Sequence, residues 1–366
     1  DLHETASGLG TDGDRYRRMV SSSVDNADSL MSQVLGPMQV VPTNPLTLGR
    51  FGAPGLLPAS IGAKRFRTEE ARALYAGLAA HAIAPFSAAL TGAVFQTFAV
   101  AAHAFGWPAV RGGSQRIAEQ MAGMIEHGGG AIETGRMVRS VGELPEASIV
   151  LLDVMPPAAL RIGGNRVEAG ARRRLEGWSN GPGVFKVDWA LDAPIPWTDD
   201  ASRKAGTVHI GGSFEEIDAS ETAVHRGDHS ETPFVIVAQQ SLFDPSRAPD
   251  GRHTAWAYCH VPARSTVDMT EAIESQIERF APGFRETILE RRTRDSAEFE
   301  EDNPNYVGGD FAGGAFKASR VLRFGSTRPY RIGQGLYLCS SATPPGAGVH
   351  GMCGYHAARA AIADTD

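Results

Sequence analysis

The stretch that decides the fold is Gly335-Leu-Tyr-Leu-Cys-Ser-Ser-Ala-Thr-Pro-Pro-Gly-Ala-Gly-Val-His-Gly-Met-Cys-Gly-Tyr-His-Ala-Ala-Arg-Ala-Ala-Ile362. Its first part, 336–339, is a short apolar run that predicts a buried strand. The Ala-rich part, 352–362, predicts a helix. A glycine-rich turn joins the two, so the stretch predicts a strand, a tight turn and a helix.

The turn Gly346-Ala-Gly-Val-His-Gly351 spells G-x-G-x-x-G. Glycines allow close approach of a ligand to the backbone, and a helix N-terminus offers N–H groups to an anion. A dinucleotide fingerprint also needs a following βαβ unit and an acidic residue about 20 positions on, whereas the sequence stops at Asp366. An ordinary Rossmann unit is therefore not predicted, and a loop before a surface helix stays open as the alternative.

The same segment resembles the C-terminal flavin motif of the phytoene desaturase-like FAD oxidoreductases. These belong to the amine-oxidase and GDP-dissociation-inhibitor superfamily, as do the pyridine nucleotide-disulphide oxidoreductase domain proteins. The resemblance implies FAD as cofactor, with the helix N-terminus facing the pyrimidine edge of the isoalloxazine. Ser340 stands where relatives often have Gly. By position, the implied FAD contacts are Pro345, Gly346, Ala347, Gly348, Val349, His350, Gly351 and Met352.

A second block, 107–154, strengthens the resemblance. Ser114 is a candidate N-cap for a helix ended by three glycines, residues 131–141 predict two short strands, and residues 147–154 predict a buried parallel strand. The order matches the FAD domain of the phytoene desaturase-like proteins, and the resemblance implies that the backbone of Val138 contacts the adenine. A generic αβ unit is the alternative.

The first 106 residues predict mostly helix. Residues 12–35 form one amphipathic pattern stopped by Gly36-Pro37, a Pro- and Gly-rich loop follows to about Phe66, and Thr68 caps a helix running to Pro85. The apolar stretch 86–106 is long enough to consider a membrane span. Because polar residues interrupt it and no basic belt flanks it, we expect a largely buried helix that walls an apolar substrate cavity.

Residues 181–330 predict antiparallel β structure, with strands at 184–191, 207–210, 234–239 and 254–261. A capping box at Asp268 opens a helix that continues through Phe280. The resemblance implies that the Gly- and Asn-rich loop 303–314 lies on the substrate side of the flavin. Its candidate substrate residues are Tyr306, Gly309 and Asp310, and a plain surface loop is the alternative.

Composition narrows the function. The formal net charge of -7 supplies no excess of cations for a nucleic-acid partner. Three cysteines without a paired pattern suit a reducing cytoplasm. Cys353 and His356 lack a second ligand pair, so no metal site is predicted. No hydrolase, metalloprotease or nucleotide-triphosphatase motif is present.

The pattern departs from the family at its start. Family members begin with a strand, G-x-G-x-x-G and a helix, which together hold the pyrophosphate, and residues 1–30 do not contain this complete strand–loop–helix unit. The sequence also begins at Asp1 rather than Met. We therefore expect either an incomplete sequence, a misassigned start, or a companion chain that supplies the βαβ unit.

The sequence as a whole predicts an α/β (α+β) fold. Its parts are a partial Rossmann-like FAD-binding domain and a substrate domain with a mixed or antiparallel sheet and helices. The segments are 1–106 (helical, substrate side), 107–180 (FAD domain), 181–330 (β-rich substrate domain) and 331–366 (FAD-domain strand and helix).

The expected activity is hydride transfer from an apolar, isoprenoid- or lipid-like small molecule to flavin N5, with no dedicated acid–base residue. The alternative is a flavin-free lipid- or protein-binding regulatory member of the superfamily. Peripheral membrane contact and a homo-oligomer are further expectations.

Overall fold

The computed structural model of the chain describes residues 1–37, 44–318 and 328–365. Its strands are β1 Val150–Leu152, β2 Gly183–Leu191, β3 Thr207–Ile210, β4 Val235–Ala238, β5 His253–Val261, β6 Ile288–Arg294, β7 Arg331–Gly333 and β8 Leu336–Leu338. Its α-helices are α1 Leu2–Gly8, α2 Gly13–Val24, α3 Ala27–Val34, α4 Pro45–Gly55, α5 Ala59–Gly62, α6 Glu69–Ala79, α7 Thr91–Phe105, α8 Gln115–His127, α9 Pro156–Gly163, α10 Ala169–Glu176, α11 Phe214–Arg226, α12 Thr270–Phe280, α13 Ser296–Asp302 and α14 Met352–Ala363. The mixed α/β class expected from the sequence is confirmed.

The smaller sheet has the strand order β1-β8-β7. Strands β1 and β8 are parallel, with Val150 opposite Leu336, and β7 is antiparallel to β8. Successive side chains of β8 point to opposite faces. Leu336 and Leu338 join the apolar cluster under α9 and α10, and Tyr337 packs against α14. Helices α9 and α10 thus cover one face of the sheet, and α14 covers β7 and β8 on the other face, where Leu151 of β1 remains 39% exposed.

The larger sheet has the order β3-β4-β5-β2-β6, and its strand pairs are antiparallel. The alternating side chains of β2 from Phe185 to Leu191 enter a core shared with Ile273 and Ile277 of α12. The half-exposed strand predicted at 184–191 is confirmed. The opposite side of the sheet, through Ile236, packs on the helical segment.

Helix α7 lies in that helical segment, and Phe95 and Val100 on it are fully buried. The predicted buried helix therefore exists, although it starts at Thr91 instead of Phe86. No helix among the described residues is long and apolar enough to cross a membrane.

Two helix predictions in the first half were wrong in their extent. The single helix expected over 12–35 is broken between α2 and α3, because the side chain of Asn26 donates to the Ser22 carbonyl at 2.9 Å and competes with the helical pattern. Thr68 does cap α6 by accepting from Ala71 N at 3.3 Å. That helix ends at Ala79, before Ile83 adopts a left-handed φ of 50°.

The loop expected from Pro37 to Phe66 was also wrong where the structure describes it, while residues 38–43 lie outside the described part. Asn44 accepts from Thr47 N at 3.2 Å and Pro45 occupies the first helical position, so α4 forms in spite of its glycines.

Three local signals fail later in the chain. Ser114 precedes α8, but its side chain makes no capping hydrogen bond. Residues 131–141 form no strand, because no neighbouring strand in the described structure pairs with them. The capping box at Asp268 is absent: its carboxylate accepts from Thr270 N at 2.8 Å, and Met269 is the N-cap residue.

Candidate functional site

The candidate site lies at the carboxyl ends of the parallel strands β1 and β8. Cys339 N donates to Leu152 O at 3.0 Å and holds the two strand ends together. Asp153 follows β1 there, and burial raises the pKa of its carboxyl. Ligands of open α/β sheets bind outside the carboxyl ends of strands.

The glycine-rich turn 343–351 leaves β8 at this edge. Gly346 and Gly351 have φ of 112° and 66°, and a Cβ added at either would meet no atom within 4 Å. The Cys353 thiol donates to Gly346 O at 3.2 Å and fastens the turn to the first turn of α14. Ala347, Gly348 and Val349 are exposed, and 96% of Val349 is accessible. The turn is therefore fixed by a buried hydrogen bond on its inner side, whereas residues 347–349 are exposed to solvent.

His350 caps the helix that follows. Its Nδ1 accepts a hydrogen bond from Met352 N at 3.0 Å, which requires that Nδ1 be unprotonated. Burial lowers the pKa of the ring below its ordinary value. His350 is therefore neutral at pH 7 and supports the turn.

The loop 303–314 reaches the same edge. Asn305 accepts from Met155 N and donates to Asp153 O, both at 3.2 Å, just beyond β1. A Cβ at Gly313, whose φ is 68°, would lie 2.1 Å from the Ser341 hydroxyl oxygen. Only glycine permits this approach. The loop therefore contacts the chain after both parallel strands.

The three candidate substrate residues lie in this loop. The buried carboxylate of Asp310 accepts from Gly181 N at 2.6 Å and Gly314 N at 2.8 Å. Gly309 packs so closely on Ser296 that a Cβ would lie 2.6 Å from the Ser296 Cβ. The ring of Tyr306 lies 6.3 Å from that of Phe299. These contacts shape the loop from within.

Val138 is half-buried and packs on the cluster of Leu152, Leu338 and Ala342. It therefore shares a core with the start of the turn, although the residues on either side of it are exposed. The candidate cofactor residues of both sequence blocks thus meet around one small sheet.

Sequence reasoning missed a chain of neighbouring rings, in stacked, tilted and edge-to-face contacts, which we call the aromatic line. Adjacent ring centroids are 4.2–6.1 Å apart. From the site outward, its members are Phe311, Tyr258, His260, Phe234, His209, His81, Phe98 and Trp107. The sequence did contain a hint of this feature. Trp256, Tyr258 and His260 alternate along β5, and alternate residues of a strand lie on the same face of the sheet.

The histidines in the middle of the aromatic line are neutral. Burial lowers the pKa of His209 to about 4 and, with His209 and His260 nearby, lowers that of His81 well below its ordinary value. Their Nε2 atoms are 3.2 Å apart, a hydrogen bond that needs one unprotonated nitrogen. The line therefore presents uncharged rings at this point.

The turn fits the FAD that the resemblance implies. Open space beside the exposed Gly351 leaves its backbone accessible to a planar ring system. Helix α14 directs its positive end toward the same side. Among the described residues, no group of three His, Cys, Asp or Glu side chains could hold a metal ion.

No family model matches the chain. Two curated relatives are pyridine nucleotide-disulfide oxidoreductase domain-containing protein 2 of Mus musculus and of Rattus norvegicus. Each is 28% identical over 151 residues, which are 37% of this chain and 26% of the relative. The match thus spans about a quarter of the length of these relatives.

Solved structures match over most of the chain. An oxidoreductase from Methanosarcina mazei has a TM-score of 0.57 at 14% identity, covering 88% of this chain and 70% of its own. A double mutant of putrescine oxidase has a TM-score of 0.58 at 18% identity, and the match covers 96% of this chain and 76% of the oxidase. Cyclohexylamine oxidase from Brevibacterium oxydans IH-35A has a TM-score of 0.50 at 12% identity, and the match covers 94% of this chain and 75% of the oxidase. The chain therefore shares its fold with these oxidases and with the Methanosarcina oxidoreductase.

Proposed function

We propose that the protein is an FAD-dependent oxidoreductase that takes hydride from a C–H bond of an apolar substrate. One observation carries the proposal. The open glycine turn, the N-terminus of α14 and the loop 303–314 converge at the carboxyl ends of β1 and β8. The oxidoreductases among the relatives and structural neighbours support the same class.

The backbone of residues 345–352 would hold the flavin end of the cofactor, and the backbone of Val138 its adenine. When bound, FAD supplies the hydride acceptor at N5. The N-terminus of α14 would stabilise the negative charge that arrives, by about 0.3–1 kcal/mol if exposed and about 2 if partly buried. His350 would keep that helix end in place. The cation left on the substrate after hydride loss would release an adjacent proton to water as the double bond forms, so this scheme assigns no side-chain base.

The aromatic line supports an apolar, unsaturated or isoprenoid-like substrate. It begins at Phe311, in the loop that meets the turn, and continues through Tyr258. The neutral imidazoles of His81 and His209 and the aromatic faces favour a substrate without charge. Helix α7 contributes Phe98 to the far end of the aromatic line.

Amine oxidation is the second candidate. Two structural neighbours are named for amines, putrescine and cyclohexylamine. The feature that favours an ammonium group is Glu221: its Oε1 lies 2.8 Å from His260 Nδ1, and its buried Oε2 has no hydrogen-bond partner in the described structure. Burying a carboxylate oxygen without a hydrogen-bond partner costs free energy, and a bound ammonium group would offset that cost.

Anaerobic flavin reduction distinguishes the two substrates. With the flavin-loaded protein, we expect apolar polyenes or unsaturated lipids to bleach the flavin band, while putrescine and cyclohexylamine leave it unchanged. Reduction by the amines alone, with loss in Glu221→Gln, would favour the second candidate. Phe311→Ala should raise the substrate concentration for half-maximal reduction. The matched control is Phe243→Ala, an exposed ring that is not a member of the aromatic line.

The rival outside enzymes is a flavin-free lipid- or protein-binding member of the same superfamily. A colourless protein that fails to take up FAD in the presence of a βαβ unit would favour this rival. Flavin bands in the visible spectrum would favour the oxidoreductase.

We further propose that a dinucleotide-binding βαβ unit, supplied by a companion chain, packs on α8. That helix has no buried residue, and Met121, Met124 and Ile125 are 58%, 76% and 49% exposed. Co-purification of such a unit should be lost in Met124→Asp but kept in Leu289→Asp, which changes an exposed residue of β6. Equal retention in both variants would contradict this docking.

A further inference from the structure

The described structure contains a basic cavity of about 790 Å³ that is lined by residues 15–67, a part of the chain distant in sequence from the glycine turn. We call it the arginine cavity. Six of its lining side chains are cationic, and no acidic residue lines it. The lining residues are Arg15, Arg18, Met19, Ser22, Ser23, Arg50, Pro54, Lys64, Arg65 and Arg67. This concentration of positive charge contrasts with the net charge of -7 of the whole chain.

Three segments build the arginine cavity. Arg15, Arg18, Met19 and Ser22 recur at helical spacing on one face of α2. Arg50 comes from α4 and donates to the Ser22 hydroxyl at 3.1 Å. Lys64, Arg65 and Arg67 come from the connection between α5 and α6.

The connection is fixed to α2 by Asp12, whose side chain is fully buried. Its carboxylate accepts from Thr68 N at 2.7 Å and pairs with Arg15 at 2.6 Å. These bonds bring Arg67 next to the start of α2. The backbone of the connection is therefore fixed against α2, and the cationic side chains that it and its neighbours carry are exposed, except for the half-buried Arg15.

The charges in the arginine cavity are largely uncompensated. Asp12 offsets Arg15, whereas none of Arg18, Arg50, Lys64, Arg65 and Arg67 forms an ion pair with a carboxylate within the described part of the chain. Like charges that face one cavity repel each other, and an anion with several charges would relieve this repulsion. Guanidinium groups match phosphate oxygens in two-point hydrogen bonds.

We propose that the arginine cavity binds a phosphate-bearing anion with at least two negative charges. The cavity volume is within the usual range for small-molecule sites. A phosphate of this kind occurs in soluble pyrophosphates and in anionic lipid headgroups. The exposed side chains of Leu46, Leu56 and Ile61, on α4 and in the segment after it, are 75%, 64% and 48% accessible and would suit the lipid source.

The test uses inorganic pyrophosphate and, separately, vesicles of phosphatidylcholine with and without phosphatidic acid, all without FAD. The variant Arg18→Gln/Arg65→Gln removes two cavity charges. The control Arg161→Gln/Arg173→Gln removes two charges from exposed arginines on α9 and α10. Circular dichroism checks that both variants fold.

We expect wild type and control to bind at least one of the two anions, and the cavity variant to bind it at least about tenfold more weakly. Pyrophosphate binding identifies a soluble ligand, and binding only to acidic vesicles identifies a lipid headgroup. Failure of both anions to bind, or equal weakening in the two double variants, would overturn the proposal.

Discussion

The imidazole Nδ1 of His350 accepts the backbone N–H of Met352 at 3.0 Å, so the residue before Gly351 caps the helix that the turn directs at its candidate ligand. The side chain replaces the usual serine or aspartate cap, and burial lowers the pKa of the ring. The cap therefore depends on a neutral imidazole.

His350→Ala should lower the free energy of unfolding by about 1 kcal/mol, the usual cost of a lost cap. Urea denaturation at pH 7 measures it, with His127→Ala at the exposed end of α8 as control. If His350 were instead a catalytic acid or base, the variant would keep its stability and lose the pH dependence of flavin reduction.

Asp310→Ala should destabilise the protein by about 1–3 kcal/mol, because two backbone N–H groups lose a charged, buried acceptor. Asp310→Asn should cost less, since its amide oxygen still accepts. Thermal unfolding of both variants, compared with Asp250→Ala at an exposed position, measures the effect. Unchanged stability in Asp310→Ala would contradict the loop-anchoring role.

The buried histidine pair should make stability depend on pH. His209 has a folded pKa of about 4 against an ordinary 6.5, so between these values the unfolded chain binds more protons. The contribution of His209 to the free energy of unfolding is therefore fully present above about pH 6.5. It is lost as the pH drops toward 4, by at most about 1.4 kcal/mol per pH unit.

Urea unfolding at pH 7 and pH 5 tests this dependence. His209→Gln should show a smaller loss between the two pH values than the wild type, and His127→Gln should match the wild type. Equal losses in wild type and His209→Gln would show that the buried ring does not titrate in this range.

These 366 residues alone should bind FAD weakly, because the turn before α14 would hold only the flavin end. Apart from that turn, no described strand leads through G-x-G-x-x-G into a helix whose N-terminus could hold the pyrophosphate. Isothermal titration of FAD into this chain measures the affinity. A sub-micromolar dissociation constant would show that the additional βαβ unit is unnecessary.

The sequence predicted the elements whose signals are local. Strand β2 alternates because one face is buried, and the turn before α14 contains the glycines that its positive φ values need. The two strands predicted at 131–141 are absent, because a strand depends on a pairing partner that a local sequence pattern cannot show. Asn44 and Pro45 did carry a helix-start signal, which the surrounding glycines obscured.

The candidate site was less accessible to prediction. The sequence placed the turn and the loop 303–314 in a common region only through resemblance, whereas their contact rests on Gly313 lying against Ser341. The aromatic line joins two strands, a loop and two helical segments, and the arginine cavity joins three segments. No spacing along the chain encodes such meetings, because tertiary packing creates them.

The central claim is that FAD binds against the open turn at Gly351, and a titration with matched glycine variants tests it directly. Gly351→Val places a branched side chain in the open space beside the turn, at a φ of 66°. Gly227→Val imposes the same kind of backbone strain at the end of α11, where φ is 92° and space is also open. FAD is added up to saturation, in the presence of the βαβ unit, while the flavin absorbance and the melting temperature are followed. We predict saturable binding to wild type and Gly227→Val, and loss of binding to a folded Gly351→Val. Normal flavin content in Gly351→Val, with ordinary thermal stability, would contradict the account.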